Sequence, residues 1–520
     1  MKKPAFLWSI STRVTAIRGG LPTLSLFQAI SLAAWCLVQA SLVQAGDAAA
    51  KQIDPTLTPT EIRQLSKQAF FWGMQQAGFY ELRYLFTQQD KAPTYRGLNR
   101  LQHGRQLFTA KQRFATTPNA STLYSGGFFD LREGPVVVLS PEVKDGRYWS
   151  IQGMDQYARW FFMSGSPFSG NGPQQYLIVG PDWNGSFPAG FSATEIVRAP
   201  SNAIVMTLRL AVKDKHSAAD LAAAGKIMDG VAILPLKLWL QHDRQAPALE
   251  KQPIVKASYA SFPRMAQIGD LTRSMTPMDY LQLVSLVLND ASMTPRNDSQ
   301  KELETLRDLA RIGLRPGVIF DPAGLSDSQR SALEAGFLEA RQEARQAFQH
   351  ALRDMKGWKL QTSLGYDDND YVLRAGAAEI AWGSPVPYQS HTIAYGLQDA
   401  DGQPLDGRHR YTLTFNLDQL PPVTEFWELP IYDDYGYFVD NPIDRYSTTS
   451  YMHRNGDFTV HDGKLTFYLQ STRPEVPEQA RNWLPTPSSG QFRLAPRFYG
   501  PTSALIDGSY PMPKIVRVPD

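Results

Sequence analysis

Strict period-two alternation recurs in two separate blocks of this chain, and it constrains the fold more than any other feature. In the first block Ile204, Met206, Leu208, Leu210 and Val212 share one face of a run, and Thr122–Phe129, Val136–Leu139, Arg147–Gln152 and Tyr176–Val179 are further short apolar or alternating runs broken by Gly and Pro. Regularly spaced short strands with turn signals between them predict an antiparallel β-sandwich. In the second block Tyr411–Leu417 and Leu465–Gln470 alternate in the same way, on either side of the aromatic and acidic stretch Trp427–Tyr451. There Trp427, Leu429 and Ile431 take one side and Phe426, Glu428 and Tyr432 the other, the pattern of a strand covered on both faces. A second, jelly-roll-like sandwich from about Leu360 follows from this spacing. Pro511-Met512-Pro513 suits an edge strand or an extended closing segment.

Helical signals lie before and between these blocks. Thr58-Pro59-Thr60-Glu61 is a capping box with Pro at the first helical position, and apolar residues at helical spacing run on to about Phe86. Ser217-x-x-Asp220 caps a short helix that Pro235 disturbs. Thr276-Pro277-Met278-Asp279, Ser299-Gln300-Lys301-Glu302 and Ser326-Asp327-Ser328-Gln329 each open an amphipathic run, the last extending to about Met355 and ending at Gly357. The expected class is α+β, mainly β. Its order is a helix plus sandwich over 46–245, a helical connector over 246–358 and a jelly-roll-like domain over 359–520.

Residues 1–45 have a different character. Lys2, Lys3, Arg13 and Arg18 precede an apolar run from Leu21 to Val43 that ends in Val43-Gln44-Ala45, the layout of a secretory signal peptide. A second Val-Gln-Ala at Val38–Ala40 offers another cleavage site, and an uncleaved anchor is the alternative. The single cysteine, Cys36, follows the bulky Trp35, which does not suit lipoprotein processing. Cleavage after Ala45 leaves 475 residues without cysteine and takes the net charge from +2 to −2. Disulfides, thiolate metal sites and a cysteine nucleophile are thereby excluded, and no electrostatic case for nucleic-acid binding remains. The expected location is periplasmic or secreted, with no membrane span after cleavage.

Several chemistries lack their motifs. There is no Gly-x-Ser-x-Gly, and Ser164, Ser166 and Ser169 lie in a Gly/Ser/Pro-rich loop with no His near in sequence. The eight histidines are scattered without ligand spacing, although His453 and His461 stand where a hairpin could bring them together. Asp367-Asp368-Asn369-Asp370 lacks the Gly and distal Glu of a calcium loop and reads as a solvated turn. No metal or cofactor is expected. Two polar and aromatic constellations remain. The first holds Asn119, Thr122, Tyr124, Tyr148, Gln152, Asp155 and Tyr157, with Tyr148, Ser150 and Gln152 on one face of a strand and Arg147, Trp149 and Ile151 on the other. The second holds Trp427, Tyr432, Asn441, Arg445 and Tyr446, with Trp483, Arg497 and Tyr499. Aromatic faces with forked donors suit sugars, carboxylates or other polar organic ligands. They suit a hydrogen-bonded structural network equally, and Arg445 beside Asp434, Asp440 and Asp444 fits such a loop.

Phe114-Ala-Thr-Thr-Pro-Asn119-Ala-Ser-Thr122-Leu-Tyr124-Ser, Gly146-Arg147-Tyr148, Asp155-x-Tyr157 and Val179-Gly180-Pro181-x-Trp183 resemble the bacterial family catalogued as domain of unknown function 1254. Asn441-Pro-Ile-Asp-Arg445-Tyr446-Ser447, Asn482-Trp483-Leu484-Pro485 and Arg497-Phe-Tyr499-Gly500-Pro501 resemble its usual companion, domain of unknown function 1214. The resemblance implies an N-terminal sandwich, a helical connector and a C-terminal jelly roll, and it transfers no activity. Where relatives often carry an acidic residue after the Asn of the first motif, this chain has Ala120 and Ser121. The expected function is an exported envelope protein that binds polar organic or carbohydrate-like ligands or serves in assembly, with a homo-oligomer left open. The alternative is an envelope hydrolase or lyase using Asp155, or Asp433 with Glu428, as acid and base.

Overall fold

The computed structural model describes residues 52–113, 116–262, 264–265, 275–293, 299–361, 369–381 and 389–519. Residues 1–45, which carry the expected signal peptide, Phe114 and Ala115 of the first motif, and Asp367 and Asp368 of the acidic turn lie outside them. Ile53–Asp520 forms one compact unit; of the other unit, Met1–Gln52, only Gln52 is described.

Helix α1, Pro59–Thr87, begins at the expected cap. The Thr58 hydroxyl accepts the Glu61 N–H at 3.3 Å and the Glu61 carboxylate accepts the Thr58 N–H at 2.7 Å, so two otherwise orphaned donors are satisfied reciprocally. Strands β1 (Gln102–Gly104), β2 (Thr122–Asp130), β3 (Val136–Ser140), β4 (Trp149–Asp155), β5 (Trp160–Gly165), β6 (Gln174–Val179), β7 (Ile196–Arg198) and β8 (Ala203–Ala211) follow. Helix α2 (Ala218–Gly230), β9 (Ala232–Pro235) and α3 (Leu236–Gln241) complete this block. The strands form two sheets, ordered β1-β2-β8-β4-β5 and β7-β6-β3-β9, antiparallel except where β6 meets β7. Trp149, Ile151, Met206, Leu208, Val136, Val138 and Ile178 fill the core between them, placing the odd residues of β4 and the even residues of β8 inward.

Helices α4 (Pro277–Asn289), α5 (Gln300–Ala310) and α6 (Asp327–Ala351) come next, capped by Thr276, Ser299 and Ser326 as expected. Helix α6 stops at Ala351, not near Met355. Arg353–Asp354 (β10) instead pairs with Trp358–Gln361 (β11) across a tight hairpin, and Lys356 and Gly357 both take positive φ, of 56° and 103°. A Lys-Gly pair at those angles is the chemistry of a two-residue hairpin turn, so Gly357 reverses a strand and does not cap a helix. Helix α7 (Tyr371–Ala381) returns to the helical layer. Helices α1, α4, α5, α6 and α7 share one core, in which Phe70, Tyr280, Leu283, Leu333 and Phe337 are buried. Close approach is bought with glycine: a Cβ on Gly336 of α6 would stand 2.2 Å from the Arg63 carbonyl oxygen of α1.

The last block comprises β12 (His391–Gly396), β13 (Arg410–Asn416), β14 (Val423–Asp433), β15 (Ser447–Thr449), α8 (Ser450–Arg454), β16 (Lys464–Gln470), α9 (Pro477–Arg481), β17 (Trp483–Pro485), β18 (Phe492–Leu494), β19 (Arg497–Pro501), α10 (Ser503–Ile506) and β20 (Ile515–Val518). One sheet runs β10-β11-β12-β18-β14-β15, with β19 joined to β12 and β14, and the other runs β17-β16-β13-β20. Strand β20 is the edge strand anticipated for the proline-rich tail. Trp427, Leu429, Ile431, Phe415, Phe467 and Phe498 fill the space between the two sheets. The whole is a mixed α+β fold rich in antiparallel sheet. No described helix is long and apolar enough to cross a membrane.

Candidate functional site

The two sandwiches turn unusual faces toward each other. With Trp149 and Ile151 committed to the first core, Tyr148, Ser150 and Gln152 share the opposite face, beside Arg209 and Thr207 of β8 and Tyr124 of β2. With Trp427, Leu429 and Ile431 committed to the second core, Phe426, Glu428 and Tyr432 point the other way, beside Arg497 and Tyr499 of β19 and His391 of β12. Sheet pairing thus gathers polar groups from strands far apart in sequence onto two surfaces, and those surfaces meet.

Specific bonds define the contact. The Asn119 side-chain oxygen accepts the N–H groups of Ser121 and Thr122 at 2.7 and 2.8 Å, fixing the approach to β2, while its amide donates to the Tyr499 hydroxyl at 2.6 Å. Tyr432 donates to the Pro118 carbonyl at 2.6 Å. Arg497 donates to the Thr117 carbonyl and, at 3.2 Å, to the Tyr432 hydroxyl. The Tyr148 hydroxyl lies 2.9 Å from Ser150 Oγ and 3.3 Å from Ser390 Oγ, and Gln152 Nε2 donates to Ser390 Oγ at 3.0 Å. Arg209 donates to Gln152. The Tyr499 ring stacks on Phe426 at 4.2 Å and lies 4.7 Å from Tyr148 and 5.0 Å from His391. At the edge, Tyr148 N–H donates to Tyr451 at 3.0 Å and Ser166 to Glu425 at 2.9 Å.

Glu428 is fully buried in this seam. Its Oε1 accepts the Ala120 N–H at 3.2 Å, whereas Oε2 has no hydrogen-bond partner of ordinary geometry. Arg497 Nε, His391 Nδ1, Thr122 Oγ1 and Thr448 Oγ1 are also buried without one. Burial pushes the Glu428 carboxyl above its ordinary value, against the opposing pull of Arg497 and of the Ser121 and Ser447 hydroxyls beside it. Burial, with Arg209 and Arg497 nearby, drives His391 well below the ordinary imidazole value. For Arg497 burial works against the charge, but Tyr432, Tyr499, Tyr124 and Glu428 outweigh it and hold the proton firmly.

A cavity of about 50 Å³ opens at the rim of the seam. Ala120, Ser121 and Ser447 line it, and the same three residues bear on the Glu428 carboxyl, which is not itself part of the lining. Lys213, Lys215, Arg445 and Tyr446 form other parts of the wall. Tyr446 donates to Asp444 at 2.8 Å, and burial together with that carboxylate pushes its hydroxyl up to about 12.

The structure therefore merges residues from both constellations into one cluster: Asn119, Thr122, Tyr124, Tyr148 and Gln152 meet Tyr432, Arg497 and Tyr499. Others lie elsewhere. Asp155 is buried against Arg159, 2.7 Å from Nε, and accepts the Tyr157 and Arg159 N–H groups, while Tyr157 donates to Glu302 of α5. That pair ties the first sandwich to the helical layer. Trp427 is core. Asn441 braces its own loop, bonding Val439, Ile443 and Arg445 backbone groups at 3.0–3.3 Å, and Arg445 donates to the Arg481 and Trp483 carbonyls at 2.8 and 2.9 Å. Ser390, His391 and Arg209 were missed by sequence reasoning. Arg209 had left a signal, since it is the one charged residue of β8; Ser390 and His391 belong to no motif. Among the described residues no cluster of three His, Cys, Asp or Glu side chains is placed to hold a metal ion.

Both sides of the seam fall within recognised sequence families. A family model described as a protein of unknown function, DUF1254, matches residues 98–235, and a second, DUF1214, matches residues 390–503. The chain carries a DUF1254 domain followed by a DUF1214 domain. Strands β2, β4 and β8, which carry Tyr124, Tyr148 and Arg209, belong to the DUF1254 span, and β12, β14 and β19 belong to the DUF1214 span. The structure is similar to that of VPA0106 from Vibrio parahaemolyticus, with a TM-score of 0.62 and 24% identity over 88% of this chain and 100% of that one. At that identity the likeness is one of fold. A putative uncharacterized protein from Burkholderia cenocepacia aligns over 88% of this chain and 94% of its own, with a TM-score of 0.39 and 11% identity. No curated protein matches the chain.

Proposed function

We propose that this chain is an exported envelope protein that binds a small polar organic ligand where its DUF1254 and DUF1214 domains meet. Export rests on the charged and apolar leader of residues 1–45, and the C-terminal sheets are read as jelly-roll-like on their strand spacing. The observation that carries the binding reading is the rim cavity, lined by hydroxyls, cations and the carboxylates Asp214 and Asp457, with Ala120, Ser121 and Ser447 of its lining also bearing on the buried Glu428 carboxyl. A concave site whose walls bring together hydroxyls and charged groups of both signs suits a small polar ligand. A water needs roughly 10–15 Å³ of such space, so the cavity takes a few solvent-sized groups, the scale of a carboxylate or of one edge of a sugar.

The acid and base pairs considered from the sequence do not assemble. Asp155 is engaged by Arg159 and two backbone N–H groups. Asp433 lies an odd number of residues from Glu428 along β14 and so faces the opposite side of the sheet. A binding role fits this geometry better than acid/base hydrolysis.

The test is a thermal-shift titration of the mature protein with small sugars and organic acids, run beside Ala120→Trp, which fills the half-buried rim without removing a polar group. A saturable rise in melting temperature for wild type, lost in the variant, is the expected result. No saturable shift with any compound, or equal shifts in both proteins, would contradict the reading.

A further inference from the structure

The connection from β6 to β7 carries a five-residue motif that the seam does not use. Asn followed two residues later by Ser or Thr, with any residue but Pro between them, is the acceptor pattern for N-linked glycans on exported proteins. The chain holds three such patterns: Asn119-Ala-Ser121, Asn184-Gly-Ser186 and Asn297-Asp-Ser299. Bacterial oligosaccharyltransferases add a further demand, an acidic residue two positions before the Asn. Asp182-Trp183-Asn184-Gly185-Ser186 meets it, whereas Thr117 and Pro295 stand at that position in the other two.

The structure sorts the acceptors in the same way. Asn119 is 1% exposed and donates its amide to Tyr499, so an enzyme cannot reach it in the folded chain. Asn297 lies outside the described residues. Asn184 is exposed, as are Asp182 and Ser186, and none of these three side chains forms a hydrogen bond among the described residues. The base of the loop is held while its tip stands in solvent. Arg198 donates to the carbonyls of Gly180, Pro181 and Trp183 at 2.9, 2.8 and 3.0 Å, and Trp183 packs against the cluster that includes Val137, Leu177 and Trp239. Just beyond this clasp the chain folds back over the indole: a Cβ on Gly185 would stand 2.4 Å from Trp183 Cζ2, so a side chain there would strike the ring. The glycine this turn needs is also the least hindered neighbour an acceptor can have. No helix or strand lies between Val179 and Ile196, and long irregular connections in a compact domain are mostly functional.

We propose that Asn184 is an N-glycosylation site, the acceptor to which an oligosaccharyltransferase transfers a lipid-linked oligosaccharide. This assignment rests on the export reading above, because such transferases work on the outer side of the cytoplasmic membrane. In the transfer Asn184 Nδ2 bonds to the anomeric carbon of the sugar, the bond from that carbon to the pyrophosphate oxygen breaks, and the lipid pyrophosphate leaves. The amide nitrogen gives up one of its two protons to a base of the transferase, and nothing is oxidised or reduced. Asp182 and Ser186 are the positioning residues that the transferase reads on either side of the acceptor.

The test has two arms, both read by mass spectrometry of the proteolytic peptides. In the first, the purified folded protein is incubated with a bacterial oligosaccharyltransferase and its lipid-linked oligosaccharide. The expected result is a glycan on the peptide containing Asn184 and none on that containing Asn119, with the modification abolished in Asn184→Gln and mostly lost in Asp182→Asn. These side chains are exposed and make no bonds, so both variants should unfold at the temperature of wild type. In the second arm, cells carrying the same transferase express the whole chain, residues 1–520, and glycan at Asn184 is expected there too. No glycan at Asn184 in the purified reaction, or occupancy indifferent to Asp182→Asn, would overturn the assignment. Glycan in the purified reaction and none in cells would remove the export reading and leave the acceptor standing. Protein recovered from the periplasm that is no acceptor when purified would do the reverse.

Discussion

Glu428 and His391 face each other's chemistry across one sheet, and their perturbations have opposite signs. Glu428 titrates above its ordinary value of 4.5, so the folded chain holds that proton more tightly than the unfolded chain does. Its contribution to stability is full below pH 4.5 and is lost as pH rises through the folded value. His391 titrates well below 6.5, so its contribution is full above pH 6.5 and is lost as pH falls toward the folded value. Urea midpoints measured across this range should show Glu428→Gln removing the stability lost on the alkaline side, and His391→Gln removing the stability lost on the acid side. Variant curves that run parallel to wild type would refute both assignments. The alternation that places Glu428 opposite Trp427, and Tyr148 opposite Trp149, was readable from the residues themselves, because period two is a property of the local backbone. The environment that shifts Glu428 was not, since it is built by Ala120, Ser121 and Arg497, far away along the chain.

Single elements were legible to the degree that their signals are local. The caps at Thr58, Ser217, Thr276, Ser299 and Ser326 all open helices, because a side-chain oxygen three residues ahead of an orphan N–H defines the start within one turn. Gly357 was misread because a glycine with positive φ serves a helix end and a hairpin equally, and only its pairing partner tells them apart. Strand β7, three residues long, depends on its neighbour β6 and carries no alternation of its own. Two substitutions test the helical layer by chemical denaturation. Thr58→Ala should cost about 1 kcal/mol through the lost cap. Gly336→Ala should cost about 1–3 kcal/mol, because its methyl would strike the Arg63 carbonyl of α1 and push the helices apart. A neutral Gly336→Ala would mean that α1 and α6 do not approach as closely as described.

At the scale of the whole molecule, the informative event is the meeting of two sandwiches whose sequences lie some three hundred residues apart, as in the 2.6 Å bond from Asn119 to Tyr499 with a separation of 380. Each sandwich was foreseeable from its own runs, and so was the helical block between them. Their shared face was not: nothing in a strand's pattern tells which other polar face covers it, so the two candidate constellations looked separate. Burying tyrosines, arginines and a carboxyl where an apolar interface would serve is costly unless the polar groups find partners, and most here find them across the seam. The most direct measurement is a double-mutant cycle of Asn119→Ala and Tyr499→Phe, read by calorimetric unfolding of the protein. The account predicts one cooperative transition and a coupling of about 0.5–1.5 kcal/mol between the two sites; two separate transitions, or additive effects with no coupling, would contradict it.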